Sequence, residues 1–509
     1  MSPSHNATGS KPHRQAAVGK SRIAAVIAVL ALIAIVVIQV KAERLGGIGP
    51  RPYRLLTLIL IWQALALVAA ALLKWVRPRK LAGALIIASL LILPAASLTR
   101  GSQISDDLYR YAWDGRLQAA GVDPYRYPPA APELKSFRDS WLWPDVATCV
   151  KLNKKIDASN PEHACTRINR PLVRTIYPPA AEGYFLLADV LPGPARDHKL
   201  QLDAALLSAA LVGLLAFGLR RTGRDPLTVA YYSFGPLAGL DIAGDAHVDV
   251  LAAIFGVGAV LLATLKPKAT ARVGLLLGLA IATKLYPALL FPALLNRAGG
   301  RRGALKLVAA AAGIVLVGYL PHVIAVGPHV LGYLPGYLHE EKYDSGTRFL
   351  IIGLLGLGDA LTKFLAVAVL LAAVVTIGIQ SARGAMRPAM SALLLFGAAF
   401  LVATPTQTWY SLLLVSFAIL TGRLEWLALA IAPYPLYVTT LIHGNGLLAG
   451  RLSYGVAAAI VLAFYVARSS HKSQNGNNDN PTSNRLAGSG ECPITSSPQP
   501  TPGHAPAGI

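Results

Sequence analysis

The stretch SDDLYRYAWDG, residues 105–115, places Asp106, Asp107, Arg110 and Asp114 close together. A partly dehydrated carboxylate can act as a general base. It can equally hold a divalent cation, magnesium or manganese, through its oxygens. If residues 107–114 are helical, Asp107, Arg110 and Asp114 fall at i, i+3 and i+7 and share one face. Asp106 then starts the helix, where negative charge is favoured. A solvated cap explains one acid but not this group. Asp106 and Asp107 are therefore the candidate catalytic pair, with Arg110 and Asp114 as candidate substrate ligands.

Three further clusters carry chemistry. GLDIAGDAHVDV, residues 239–250, holds Asp241, Asp245, His247 and Asp249 among apolar residues. Charges so near hydrocarbon are costly and usually functional. His247 and Asp249 could supply half of a metal site. Together with Asp245 they could instead hydrogen-bond sugar hydroxyls, and they are entered as substrate ligands. ATKLYP carries Lys284 and Tyr286. A compact ammonium is a point-charge partner for phosphate, although a lone Lys in an apolar run can also snorkel. Arg348, in YDSGTRF, is a candidate second cation for the same phosphate, with His322, His339, Glu340 and Glu341 near it in sequence. Gln407 and Trp409, in TPTQTWY, and Tyr125 and Tyr177, in GVDPY and TIYPP, complete the candidate ligands. Tyr109, Tyr111, Trp113, Tyr127, Trp141 and Trp143 suit either a headgroup layer or the faces of sugars.

The elements that must position these residues are membrane helices. The chain has 509 residues, of which 54% are hydrophobic and 14% charged, against about 25% charged in soluble proteins. Its mean hydropathy is +0.50. Residues 23–40, 55–73 and 81–98 are the first apolar runs near the roughly 20 residues needed to cross a bilayer. The net charge of +22 lies mainly in short basic links, as cytoplasmic loops facing anionic lipid require. No basic face with interleaved aromatics marks a nucleic-acid surface. With the N-terminus inside, three spans place residues 100–201 outside the membrane. A hairpin over residues 272–302, turning at 283–287, keeps both of its basic ends inside, because Pro287 opposes a continuous helix. The expected fold is an all-α polytopic membrane protein with about 14 transmembrane helices, several short or re-entrant.

Residues 1–20 read as a disordered cytoplasmic arm and residues 469–509 as a disordered cytoplasmic tail rich in Ser, Asn, Pro and Gly. Between them lie N-terminal spans over 21–99, the acidic external loop over 100–201 and a transmembrane core over 202–468. Residues 174–193 are apolar but too short to span, so they should lie along the interface. Cys149 and Cys165 share the external loop and could pair or stay as free thiols. There is no Walker A motif, so the sequence offers no sign of ATP drive.

In motif order the chain resembles the GT-C glycosyltransferases. The resemblance runs from DDLYRYAWDG through GVDPY and YPP to GLAIATKLYP, and covers roughly residues 81–348. It is nearest to the bacterial family 87 mannosyltransferases and to the glycosylphosphatidylinositol mannosyltransferase I type. The resemblance implies a polyprenyl-phosphate sugar donor, a glycolipid or glycan acceptor, and a site at the outer face of a bacterial plasma membrane. It implies a hexose, mannose by family, transferred with inversion after an external carboxylate deprotonates the acceptor hydroxyl. On that pattern Asp106 is the base, with Asp107 a close second, and Lys284 holds the donor phosphate. Many members place the acid pair after the first span, whereas here it follows the third. Two added spans preserve sidedness. A transporter or flippase of lipid-linked glycan is the alternative, suggested by the short and broken apolar segments.

Overall fold

A computed structural model describes residues 11–46, 51–152, 154–157, 159–194, 197–295 and 299–478. Among them the regular structure is entirely helical. The helices that matter here are α1 (Lys11–Glu43), α2 (Pro52–Leu72), α3 (Arg79–Ser97), α4 (Asp107–Ala119), α5 (Pro179–Val190), α6 (Asp197–Arg221), α7 (Asp249–Leu265), α8 (Thr270–Thr283), α9 (Gly300–Val326), α10 (Asp359–Ala382), α11 (Pro388–Ala403), α12 (Leu412–Thr421) and α13 (Gly446–Asn478). Residues up to Val461 form one unit. A second unit begins at Leu462, and its described part is the end of α13.

Among the described residues, seven helical segments are long and apolar enough to cross a membrane. A bent pair, Leu237–Gly244 with α7, makes up to eight. Thr270–Thr283, Tyr286–Leu295, Pro388–Ala403 and Thr408–Thr421 are apolar but shorter. A helix rises about 1.5 Å per residue, so such pieces fall short of a hydrocarbon core of about 30 Å. The protein is thus a helical membrane protein. The apolar stretch 425–442 is broken into Leu427–Ile431 and Pro433–Leu441, with Pro433 opening the second piece.

The chain ends differ from expectation where they are described. Helix α1 starts at Lys11, so the polar residues 11–20 are helical, and residues 1–10 lie outside the described residues. Helix α13 continues to Asn478, and the rest of the proposed tail lies outside them. Residues 322–348, which carry Arg348, begin within α9 and include the helix Leu334–Glu340.

Helix α8 ends where the hairpin turn was placed. Lys284 caps it in an extended conformation and Pro287 follows in a short 3-10 turn. The bent pair is sharper still. Leu237–Gly244 is π-helical, and the axis turns by 117° before α7. π-helical turns leave backbone groups that need partners, and they often mark functional sites. Here neighbouring side chains supply them. Ser97 Oγ donates to the Gly239 carbonyl at 3.1 Å, and Gln201 Nε2 donates to that of Gly244 at 2.7 Å. A buried knot ties the same place to α1: Gln39 Nε2 donates to Glu43, the Leu93 carbonyl and Ser97 Oγ, each at 2.8 Å.

Residues 100–201 build a separate layer with its own apolar core of Leu108, Tyr111, Trp113, Leu142, Trp143 and Phe185. Cys149 and Cys165 are disulfide-bonded, closing the question that spacing left open. Helix α5 buries Ala181, Phe185 and Ala188 and exposes Leu187 and Val190. It packs closely on α4 because residue 115 is glycine. A Cβ there would stand 2.3 Å from the Phe185 carbonyl oxygen and 2.8 Å from its carbon.

Gly115→Ala should therefore force α4 and α5 apart and cost about 1–3 kcal/mol, the usual penalty of overpacking. Thermal unfolding of the purified protein in nanodiscs measures it. An unchanged midpoint would show that the helices separate at no cost.

Candidate active site

A cavity of about 1880 Å³ opens between the loop layer and the helical core. Its walls include Asp106, Asp107, Arg110, Tyr177, Lys284, Arg348, Gln407 and Trp409. Eight of the candidate residues, distant in sequence, thus share one space. Asp114, Tyr125, Asp245, His247, Asp249 and Tyr286 stand outside its lining.

The two acids occupy different surroundings. Asp106 is the N-cap residue of α4, yet its side chain makes no capping bond. It accepts from Lys154 Nζ at 2.9 Å, and its side chain is 43% exposed. Asp107 opens the helix and is only 15% exposed. Its Oδ1 accepts from Asn169 Nδ2 at 2.6 Å, while Oδ2 lies 4.0 Å from His247 Nε2. Both partners, Lys154 and Asn169, come from the segment around the disulfide.

Arg110 turns away from Asp107 and pairs with Asp114, Nε lying 2.9 Å from each carboxylate oxygen. Asp114, a candidate substrate ligand, is buried and belongs to a closed polar group outside the cavity lining. Thr175 Oγ1 donates to Glu182 at 2.7 Å and Gln118 Nε2 donates to it at 2.9 Å. Two buried carboxylates thus share one guanidinium. Burial raises the Asp114 pKa and drives that of Glu182 well above its ordinary value, so a proton is retained between them. Tyr125 is also structural: its hydroxyl donates to the Tyr177 carbonyl at 2.5 Å, and its ring meets His322 edge-on.

The bent pair carries the remaining acidic candidates and His247, outside the cavity lining. Asp245 is fully buried and accepts from the Gln103 and Ile104 amides, at 2.5 and 3.3 Å. It fixes the chain just before the acid pair and stands outside the cavity lining. Asp241 accepts from the hydroxyls of Thr408 and, at 2.6 Å, Tyr434. His247 is fully buried, receives the Trp409 ring at 3.7 Å between centroids, and has Nδ1 3.0 Å from the Asp241 carbonyl oxygen. Asp249 pairs with Lys284 at 3.2 Å and accepts from the Tyr286 hydroxyl at 3.2 Å. Lys284 also lies over the rings of Tyr177 and Tyr410, at 5.1 and 5.5 Å. Burial and the charge of Asp107 raise the Tyr177 pKa well above its ordinary value, so that ring keeps a neutral hydroxyl.

Arg348 lines the cavity but is bonded to Glu341, whose other oxygen accepts from Gln407 Nε2 at 2.6 Å. Among the described residues no three His, Cys, Asp or Glu side chains converge as a metal site. Sequence reasoning missed Lys154, Asn169, Glu341 and Tyr410 as wall residues. Asn169 and Lys154 had no local signal. The group around Arg348 had one, because Glu341 had been noted beside it. Neither family models nor curated proteins nor solved structures match this chain.

The shared proton behind the wall makes stability depend on pH. Glu182 releases its proton near 4.5 when unfolded and higher when folded. The folded state therefore binds more protons above that value, and stability falls as pH rises from there towards the folded pKa. Glu182→Gln removes that dependence while its amide still reaches Asp114. Unfolding midpoints at about pH 5 and about pH 8 should diverge less in the variant than in the wild type. Parallel shifts in the two proteins would mean that Glu182 carries no proton.

Proposed function

We propose that this chain is an integral-membrane glycosyltransferase of the GT-C type. It moves a hexose, mannose on the resemblance, from a polyprenyl-phosphate sugar to an acceptor hydroxyl on a glycolipid or glycan, with inversion. The observation that carries this reading is one cavity walled by an acid pair and by a lysine set against two tyrosine rings. A carboxylate can take the hydroxyl proton, an ammonium can hold the leaving phosphate, and aromatic rings can face the sugar. These are the parts that phosphate displacement by an alcohol requires.

Of the two acids, Asp107 suits the base better than Asp106. Asp106 is neutralised by Lys154 and faces solvent. Asp107 is less hydrated, and Asn169 fixes one of its oxygens. Its remaining oxygen is the one available to an acceptor hydroxyl. The hydroxyl oxygen then bonds to the anomeric carbon as the bond from that carbon to the phosphate oxygen breaks. The electron pair leaves with the phosphate. Lys284 already carries Asp249 as a counter-ion, so a phosphate would join an existing pair. Arg348 would serve as a second cation only by sharing its guanidinium with Glu341.

The disulfide supports an extracytoplasmic site, since such bonds persist in oxidising compartments. We place the cavity at the outer face of a bacterial plasma membrane, beneath an external loop layer. About 14 crossings would follow if the short apolar helices count as spans. A divalent cation, magnesium or manganese, could in principle sit beside Asp106. The sharp bend in the core also suits a lipid-linked glycan transporter, because broken helices build midplane sites.

Transfer from a labelled polyprenyl-phosphate sugar by the purified protein in nanodiscs decides among these readings. Asp107→Asn should lower kcat by about 10²–10⁴, and Asp106→Asn by much less. Lys284→Met should raise KM for the donor. Full transfer by Asp107→Asn would remove the base. Translocation of lipid without any transfer by the wild type would favour the transporter.

A further inference from the structure

We propose that His247 receives the proton that Asp107 takes from the acceptor, through Nε2, so that the two side chains hold one proton between them during transfer. The proposal rests on the transferase reading of the cavity.

The tautomer is set by geometry. A backbone carbonyl can only accept, so the nitrogen 3.0 Å from the Asp241 oxygen, Nδ1, carries the hydrogen. In the neutral ring Nε2 is then a bare lone pair. That nitrogen is buried and has no hydrogen-bond partner among the described residues. It faces Asp107 Oδ2 across 4.0 Å. The other oxygen of Asp107 is already occupied by Asn169. A lone pair and a carboxylate oxygen facing each other repel. One proton between them satisfies both, and the gap need close by only about 1 Å to reach hydrogen-bond length.

The charges around the ring favour one proton and no more. The ionisable groups facing it are Asp107 on α4, Asp249 on α7 and Lys284 after α8, while Trp409 presents only its ring. Two carboxylates and one ammonium carry one net negative charge, and a single proton brings the group to neutrality. Burial of the ring opposes a proton on it, so the proton is held between Nε2 and Asp107 Oδ2 rather than by the imidazole alone. In the balanced step the acceptor O–H breaks, its oxygen bonds to the anomeric carbon, and the phosphate leaves with the bonding pair. The proton passes from Asp107 Oδ2 to His247 Nε2 and departs with the products.

His247→Asn tests this, because the Asn amide can still donate to the Asp241 carbonyl while Nε2 is lost. We expect kcat to fall by about tenfold or more with KM for the donor within about twofold. The acid limb of the kcat profile should move to lower pH, since a lone Asp107 holds the proton less tightly than the pair. A normal kcat, or a lowered kcat with the acid limb in place, overturns the proposal. A second readout does not need activity. In histidine-labelled protein, ¹⁵N NMR should show His247 with Nδ1 protonated and Nε2 bare, assigned by its absence in His247→Asn. Its Nε2 resonance should shift in Asp107→Asn, where an amide can donate to it. A protonated Nε2, or no response to Asp107→Asn, also overturns it. Absence of transfer by the wild type alone, with the NMR result as expected, would instead reject the transferase reading and leave the pairing of His247 with Asp107 standing.

Discussion

Lys284 and Asp249 meet at 3.2 Å in a region whose neighbours are apolar helices, and both are nearly closed to solvent. Either charge alone would be expensive there, because removing one member of a buried pair leaves the other uncompensated. The constraint reaches beyond the pair. Asp249 begins a helix only because the preceding turn bends by 117°. Lys284 reaches it because α8 stops one residue earlier. Two interruptions of regular helix therefore meet where the charges meet. Asp241, Asp245 and His247 share the first interruption; the two carboxylates and His247 Nδ1 are spent on holding neighbouring chain in place. Of these residues Lys284 alone lines the cavity, and the others hold the chain around it.

The loop layer answers a different need. Its apolar core is small, so its position relative to the cavity depends on discrete ties. Arg170 pairs with Glu340 and His322 with Asp123, linking the layer to α9 and the segment that follows it. The disulfide closes the segment that delivers Lys154 and Asn169. Those two residues give Asp106 and Asp107 their separate environments. Adjacent acids of one helix start thereby acquire different hydration and different partners, which sequence adjacency alone would not suggest.

Charged residues in apolar runs were legible because their cost makes them conspicuous. That is why Asp106, Asp107 and Lys284 stood out in the sequence, while Gln407 and Trp409 stood out as polar and aromatic residues at a turn and Pro287 marked the break at Lys284. Asp114 and Asp245 were equally conspicuous, but their partners were not. Glu182 is far from Asp114 in sequence, and the amides that Asp245 holds belong to a loop with no pattern of its own. Asn169 and Lys154 were invisible for the same reason: an uncharged or solvated polar residue in an irregular loop carries no periodicity. Hydropathy reports that a segment avoids water, not that it is long enough to cross, so it groups the four shorter apolar helices with the seven long ones.

The asymmetry between Asp106 and Asp107 then becomes the natural point at which fold and chemistry join. A base needs a free lone pair, restricted water and a fixed orientation. Asp106 lacks the first two, since an ammonium and solvent occupy it. Asp107 has all three, because Asn169 orients it from the loop layer and His247 stands behind it from the core. Its two oxygens thus answer to two structural units, one above and one below. A relative shift of the layers would alter the gap to His247 while leaving the bond to Asn169 intact. The Arg170–Glu340 and His322–Asp123 pairs hold the two layers together, although neither bonds to the carboxylate.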